Sequence, residues 1–341
     1  MKKERLAYLD IIRTIAVISV LVCHYTRALE SNGIGYLNKI LPDFPFSLYL
    51  GSYGVSLFFI ISGASLMYVY SEKCEVLTFF KKRFWAIYPM FWLAYIIAFL
   101  YNFWVNKGMF YAYPKSRFLL TFFGMDGYLG WYGENYYLLG EWFLGCLIFL
   151  YLLFPLLRKG VKDYPKITIV IALAVYVIGS VVLRDTKMPI ECWFILRVPE
   201  MLFGMYFIHY IKKVNVQAFA VSGVVLIIAA IANLRVIPVI YLTPVIGIAS
   251  FLVFTFLSKY IAIDLVKKVC GVVSKYSYAV FLCHHFIIEK VAAHFAGVGL
   301  SRSGNYFLFT ITVAIIILVS RLLLEANNRI CKFVKQNILR G

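Results

Sequence analysis

Charge is scarce in this chain. Only 15% of its 341 residues are Asp, Glu, Lys or Arg, with 16 acidic residues beside 34 basic ones. Soluble domains carry roughly a quarter, so this shortage excludes a soluble globular protein of this length. Polar intervals long enough for a separate soluble domain are also missing, and residues 1–341 read as a single transmembrane domain. The seven cysteines (23, 74, 146, 192, 270, 283 and 331) contain no C-x-x-C pair and read as reduced packing residues, which argues against a dithiol redox centre or a zinc site. H-E-x-x-H, G-x-S-x-G and P-loop motifs are absent as well, and no metal is expected. The early apolar segments are not repeated in the later ones, which counts against an inverted-repeat carrier.

What is abundant is hydrocarbon. Apolar residues make up 62% of the chain, arranged in ten runs of bilayer length: Leu9–Ala28, Phe46–Tyr70, Phe84–Val105, Leu138–Leu157, Lys166–Leu183, Cys192–Ile211, Val216–Asn233, Pro238–Leu257, Tyr276–Phe295 and Asn305–Ala326. The expected fold is therefore an all-α, polytopic bundle of about ten helices embedded in the lipid bilayer. The net charge of +18 does not point to nucleic acid, because the basic residues fall between the apolar runs. They concentrate on one side, from Lys2 and Lys3 through Lys81–Arg83, Arg158–Lys166 and Lys267–Lys275 to Arg329–Arg340. By the positive-inside rule both termini are expected to be cytoplasmic in a multi-pass protein of the cell membrane. The first segment starts like a signal peptide, yet Arg13 interrupts it and no convincing cleavage site follows, so it reads as a retained helix. The longest polar interval, Asn106 to Tyr137, is rich in Tyr, Phe and Gly and reads as an outer loop folded back onto the interface.

Ionisable residues inside a bilayer are costly and usually functional. Arg13 and His24 share the first segment, LDIIRTIAVISVLVCHYTRA. Eleven helical steps come within roughly 20° of three full turns, so both lie on one face about 16 Å apart along the axis. Arg13 would then sit about 6 Å inside the cytoplasmic edge, with Lys82 and Arg83 at that edge and His24 about three-quarters of the way across. Glu141 reaches a similar depth from the fourth segment, Arg197 and Glu200 enter the outer half, and His285, Glu289 and Lys290 lie on the ninth. Structural alternatives stand beside these readings. Arg197 and Glu200, at i and i+3, suit a closed ion pair, and His285 and Glu289, at i and i+4, suit a satisfied helix-surface pair. Lys82 and Arg83 equally suit a positive-inside role.

Cations at the inner edge and an imidazole deep in the bilayer fit an acyl-CoA donor. Its phosphates would stay near Arg13, Lys82 and Arg83 while the thin pantetheine arm reaches toward His24. A neutral imidazole accepts a hydroxyl proton near pH 7, and Glu141 would orient it or position the acceptor. Direct transfer and a transient acyl-histidine both remain open.

At these residues the chain resembles the membrane acyltransferase 3 family. Asp10, Arg13 and His24 are similar to the family's D-x-x-R…H opening, in which the arginine and histidine are implicated in activity. GVSLFFIISGAS (Gly54 to Ser65) resembles its second-helix pattern, and KKRFWAIYP resembles its basic stretch closed by Pro89. Glu141, Trp142 and Phe143 resemble its W-F-L element, RVPEMLFG (Arg197 to Gly204) its R-x-P…G helix, and SYAVFLCH its S-Y…Y-L-x-H element ending at His284. One departure is Ala86, where relatives often carry a second arginine.

The resemblance implies a stand-alone O-acetyltransferase moving acetyl from cytoplasmic acetyl-CoA to a hydroxyl of a cell-surface polysaccharide or its lipid-linked precursor. His24 and Glu141 would be catalytic, Arg13, Lys82 and Arg83 would hold the donor, and Arg197, His284 and Trp142 would meet the saccharide acceptor. Oligomeric state is not legible. The rival readings are a flippase for a lipid-linked saccharide, and an acyltransferase whose acceptor is a lipid, a peptidoglycan sugar or a small metabolite.

Overall fold

The computed structural model describes residues 4–36, 38–108 and 113–337. Lys2, Lys3 and Arg340, placed above on the inner side, lie outside the described residues, as do residues 109–112 of the aromatic interval. Each of the ten apolar runs forms a helix: α1 Ala7–Ser31, α2 Leu50–Val69, α3 Val76–Val105, α4 Trp142–Asp163, α5 Pro165–Val182, α6 Phe194–Ile211, α7 Val216–Ile231, α8 Val239–Ile261, α9 Asp264–His294 and α10 Arg302–Asn337. Eight of them are long and apolar enough to cross a membrane. The other two are α7, apolar but only 16 residues long, and α9, which is 31 residues long and carries Glu289 and Lys290 in its apolar run. The chain is thus an all-α, multi-pass membrane protein, and helices are the form in which a chain buried in lipid satisfies its own backbone.

The chain divides into two compact units. The first holds α1 as far as Val20, α2, and the run from Cys146 to Lys275. Its centre is α2, buried on nearly every side, and small residues explain why. A Cβ at Gly63 would collide with the backbone oxygen of Met201 on α6, and one at Gly204 with the backbone oxygen of Ile60 on α2. On other faces of α2, Gly54 sits against Ala16 of α1, and Ser56 sits against Gly247 of α8. Lipid tails are as apolar as the helices, so association in a membrane depends on such close backbone approach rather than on a hydrophobic drive. The GVSLFFIISGAS pattern is, physically, a packing seam.

The second unit holds α1 from Leu21 to its end, α3 from Phe79, the aromatic interval to Gly145, and the chain from Tyr276 onward. The interval folds into two short helices, Phe118–Phe122 and Asp126–Leu129, and a tight turn, Gly130–Tyr132. Trp92 of α3 stacks on Phe122 at 4.9 Å and donates Nε1–H to its carbonyl at 2.9 Å, while Tyr88 donates to the Phe123 carbonyl. The segment therefore lies on α3 as a cap. Gly35–Tyr36, following α1, pairs in parallel with Gly299–Leu300, between α9 and α10. That clip ties the end of α1 to the end of α9.

Candidate active site

Three helix ends of the second unit bring the polar residues together. α1 supplies His24, and just beyond its end comes Asn32. α9 supplies His284, His285 and Glu289, and the residues leading into α4 supply Tyr137 and Glu141. Gly140, at φ 88°, makes the turn that delivers Glu141, and a side chain there would also strike Phe91. Gly127 lies so close to the backbone of Glu141 that its own Cβ would fall 2.7 Å from the Glu141 carbonyl carbon. Tyr137 is held from behind: its N–H donates to Asn135 Oδ1 at 3.0 Å, and Tyr95 donates to the carbonyl of Tyr136 at 2.6 Å.

His285 is the hub. Its Nδ1 lies 2.5 Å from Glu141 Oε1, and its Nε2 lies 3.6 Å from Glu289 Oε1. The Tyr137 hydroxyl donates to the same Glu141 oxygen at 2.7 Å. Burial and the adjacent Glu141 carboxylate push the Tyr137 phenol well above its ordinary value, so it stays a proton donor. Glu289 Oε2 faces Asn32 Nδ2 at 3.5 Å. His24 is different. Its ring rests 5.0 Å from that of His284 and 4.9 Å from that of His285, yet it makes no hydrogen bond among the described residues. His284 is fully buried, and its Nδ1 faces two carbonyls, Phe281 at 2.8 Å and Val280 at 3.1 Å. Carbonyls only accept, so Nδ1 carries a proton, while the buried Nε2 has no hydrogen-bond partner among the described residues.

The aromatic cap contributes one more buried acid. Asp126 lies beneath the surface one residue before Gly127, and burial pushes its carboxyl up to about 6 against a smaller opposing pull from Thr121.

The remaining candidate residues lie elsewhere. Arg13, in the first unit, donates to Ser274 Oγ at 2.5 Å and to Ser65 Oγ at 3.3 Å. Asp10, one turn before it, is bonded instead by Arg5 at 2.5 Å. Arg13 is therefore held by two neutral hydroxyls, and no carboxylate pairs with it among the described residues. Arg197 and Glu200, also in the first unit, form a fully buried pair at 3.3 Å, with Arg197 Nε donating to the Glu191 carbonyl at 2.7 Å. Of the two readings of that pair, the closed ion pair is the arrangement present. Lys82 is exposed and Arg83 half-buried near the start of α3, the latter 5.9 Å from the Phe79 ring. Trp142 is the half-buried first residue of α4.

Glu141 was expected to orient His24 or to position the acceptor; its carboxylate is bonded to His285, whose ring lies 4.9 Å from that of His24. His285 and Glu289 do face each other at i and i+4, as their spacing suits, whereas the approach of Glu141 from a remote part of the chain was not visible. Tyr137 and Asn32 carried no catalytic signal in the sequence.

A site of three histidines, two carboxylates and a tyrosine suits proton transfer to and from a hydroxyl. The acyltransferase 3 family model, described as an acyltransferase domain, matches residues 6–324. The chain belongs to that family and carries an acyltransferase domain. No curated protein and no solved structure matches it.

Proposed function

We propose that this membrane acyltransferase moves an acetyl group from acetyl-CoA to a hydroxyl of a saccharide destined for the cell surface, with donor entry and both termini on the cytoplasmic side. The observation that carries this reading is the unpaired His24 imidazole lying against the His285, Glu141 and Tyr137 cluster. In the reaction His24 takes the proton of the acceptor hydroxyl as its oxygen attacks the thioester carbonyl. The carbon–sulfur bond breaks, and the proton passes to the departing coenzyme A thiolate. Imidazole is suited to both halves of that exchange near neutral pH. Glu141 and Tyr137, anchored through His285, fix the ring against which His24 packs. Arg13 supports an anionic donor, because its guanidinium has donors beyond those given to Ser274 and Ser65 and makes no ion pair among the described residues.

The test uses purified protein in liposomes with acetyl-labelled acetyl-CoA and a saccharide acceptor. Label should appear on the saccharide with the wild-type chain and be lost with His24→Ala, which should still bind coenzyme A. A carrier of saccharides would neither bind coenzyme A nor move label, and that result would remove the proposal.

A further inference from the structure

Acyl transfer makes a second electrostatic demand besides a base. As a hydroxyl oxygen bonds to the thioester carbon, the carbonyl π pair moves onto its own oxygen, and that oxyanion needs a fixed hydrogen-bond donor. The histidines of the cluster differ in what they can offer an entering substrate. His284 is 1% exposed, whereas His24 is half-buried and the His285 side chain is 30% exposed. The His24 and His285 rings lie 4.9 Å apart, tilted by 54°, so one acyl group can face both.

The two nitrogens of His285 are held unequally. Nδ1 lies 2.5 Å from Glu141 Oε1, and the Tyr137 hydroxyl braces that same oxygen at 2.7 Å. Nε2 lies 3.6 Å from Glu289 Oε1, beyond the roughly 2.7–3.2 Å of an N–H···O bond. A carboxylate only accepts, so a ring that faces one at each nitrogen carries an N–H on both. The Glu141 bond therefore sets the orientation of the ring, and the Nε2–H keeps only a loose partner. Glu289 is loosely held in turn: its other oxygen lies 3.5 Å from Asn32 Nδ2, and its side chain is 42% exposed. Water and salt screen a carboxylate at that exposure, so it competes weakly with a negative charge formed against the ring.

We infer that His285 is a second catalytic residue, which donates Nε2–H to the thioester carbonyl oxygen while His24 takes the hydroxyl proton; the assignment rests on the acyl-transfer reading of this site. In the first step the acceptor oxygen bonds to the carbonyl carbon, its proton moves to His24, and the carbonyl pair becomes the oxyanion beside the His285 N–H. In the second the pair returns to re-form the carbonyl, the carbon–sulfur bond breaks, and His24 passes its proton to the thiolate. The protons of His285 stay on its ring throughout. Because the ring is positive, its hydrogen bond strengthens as charge develops on the oxygen, which favours the transition state over the bound donor.

Two ketone analogues of the donor test this, S-acetonyl-coenzyme A and its trifluoro form, in both of which a methylene separates sulfur from the carbonyl. The trifluoro ketone adds water to give a tetrahedral hydrate with an acidic hydroxyl, a mimic of the oxyanion, while the plain ketone stays planar. Calorimetric titration of the purified chain in detergent should show the trifluoro form bound about 10²-fold more tightly by wild type, with most of that preference lost in His285→Leu. Affinity for the plain ketone should hardly change in the variant. Equal affinity of wild type for the two analogues overturns the proposal, as does an undiminished preference in His285→Leu. Should His285→Leu fail to fold, His285→Gln decides, because its amide carries no charge and an undiminished preference there is equally fatal. Analogue binding needs neither acceptor nor turnover. A chain that acetylated no saccharide yet kept a His285-dependent preference would therefore defeat the functional reading alone, and transfer that depends on His24 with no such preference would defeat the role of His285 alone.

Discussion

Nδ1 of His285 lies 2.5 Å from Oε1 of Glu141, and the His24 ring packs 4.9 Å from the same imidazole. One histidine is thus anchored by a carboxylate while its neighbour makes no hydrogen bond among the described residues. That asymmetry divides the labour: the anchored ring holds a position, and the unanchored one is available to move a proton.

The division predicts unequal effects at the two sites. His24→Ala should lower kcat for acyl transfer by about 10²–10⁴-fold, the usual worth of a general base. Glu141→Gln should also lower kcat, by about 10²-fold, with little change in KM for the donor, because it loosens the ring against which His24 rests. Steady-state kinetics in liposomes separates the two parameters, and an unchanged kcat in either variant would contradict these roles.

Arg13 should act on donor affinity. Arg13→Ala is expected to raise the Kd for coenzyme A by about tenfold or more, the loss of one charge-assisted contact. Arg13→Lys should recover only part of it, since an ammonium cannot span Ser65 and Ser274 as the guanidinium fork does. Calorimetric titration with coenzyme A measures both.

Arg197 and Glu200 should prove structural. Breaking a buried pair by Glu200→Gln leaves an unneutralised guanidinium and is expected to cost about 3–5 kcal/mol, seen as a sharply lower Tm. The double variant Arg197→Met with Glu200→Leu should regain much of that stability. An Arg197→Met variant of normal Tm but raised acceptor KM would instead assign Arg197 to the substrate.

Asp126 gives a pH signature. Its carboxyl is raised to about 6 in the folded chain from near 4 when unfolded. Between those values the folded state binds more protons than the unfolded one, so stability falls as pH rises through this window and levels off above it. The drop should approach about 3 kcal/mol, and Asp126→Asn should flatten it. Thermal unfolding in detergent from pH 4 to pH 7 reads the difference.

The seam between α2 and α6 should tolerate no side chain. Gly63→Ala and Gly204→Ala each place a methyl group on a backbone oxygen of the facing helix, an overpacking expected to cost about 1–3 kcal/mol. Expression level and Tm check it, with Gly223→Ala on α7, where a Cβ meets nothing within 4 Å, as the control.

How much of this could be read beforehand follows from the range of the forces involved. Helix positions followed from runs of hydrocarbon long enough to cross a membrane, because in lipid each such run must satisfy its own backbone. Asp10, Arg13 and His24 could be placed on one helix by counting residues, and the family could be placed from six short motifs. The GVSLFFIISGAS pattern was visible too, although only the backbone contacts at Gly63 and Gly204 explain it.

Side-chain partners were another matter. Glu141 bonded to His285, Asp10 to Arg5 and Arg13 to two serines, and Asn32 joined a site that gave no sign of it. The amino-acid order determined where helices form and which polar groups enter the membrane, since both follow from transfer of each segment out of water. Which polar groups meet there was decided by the packing of helices remote in the chain, because a hydrogen bond depends on tenths of an ångström that no spacing along one helix can set.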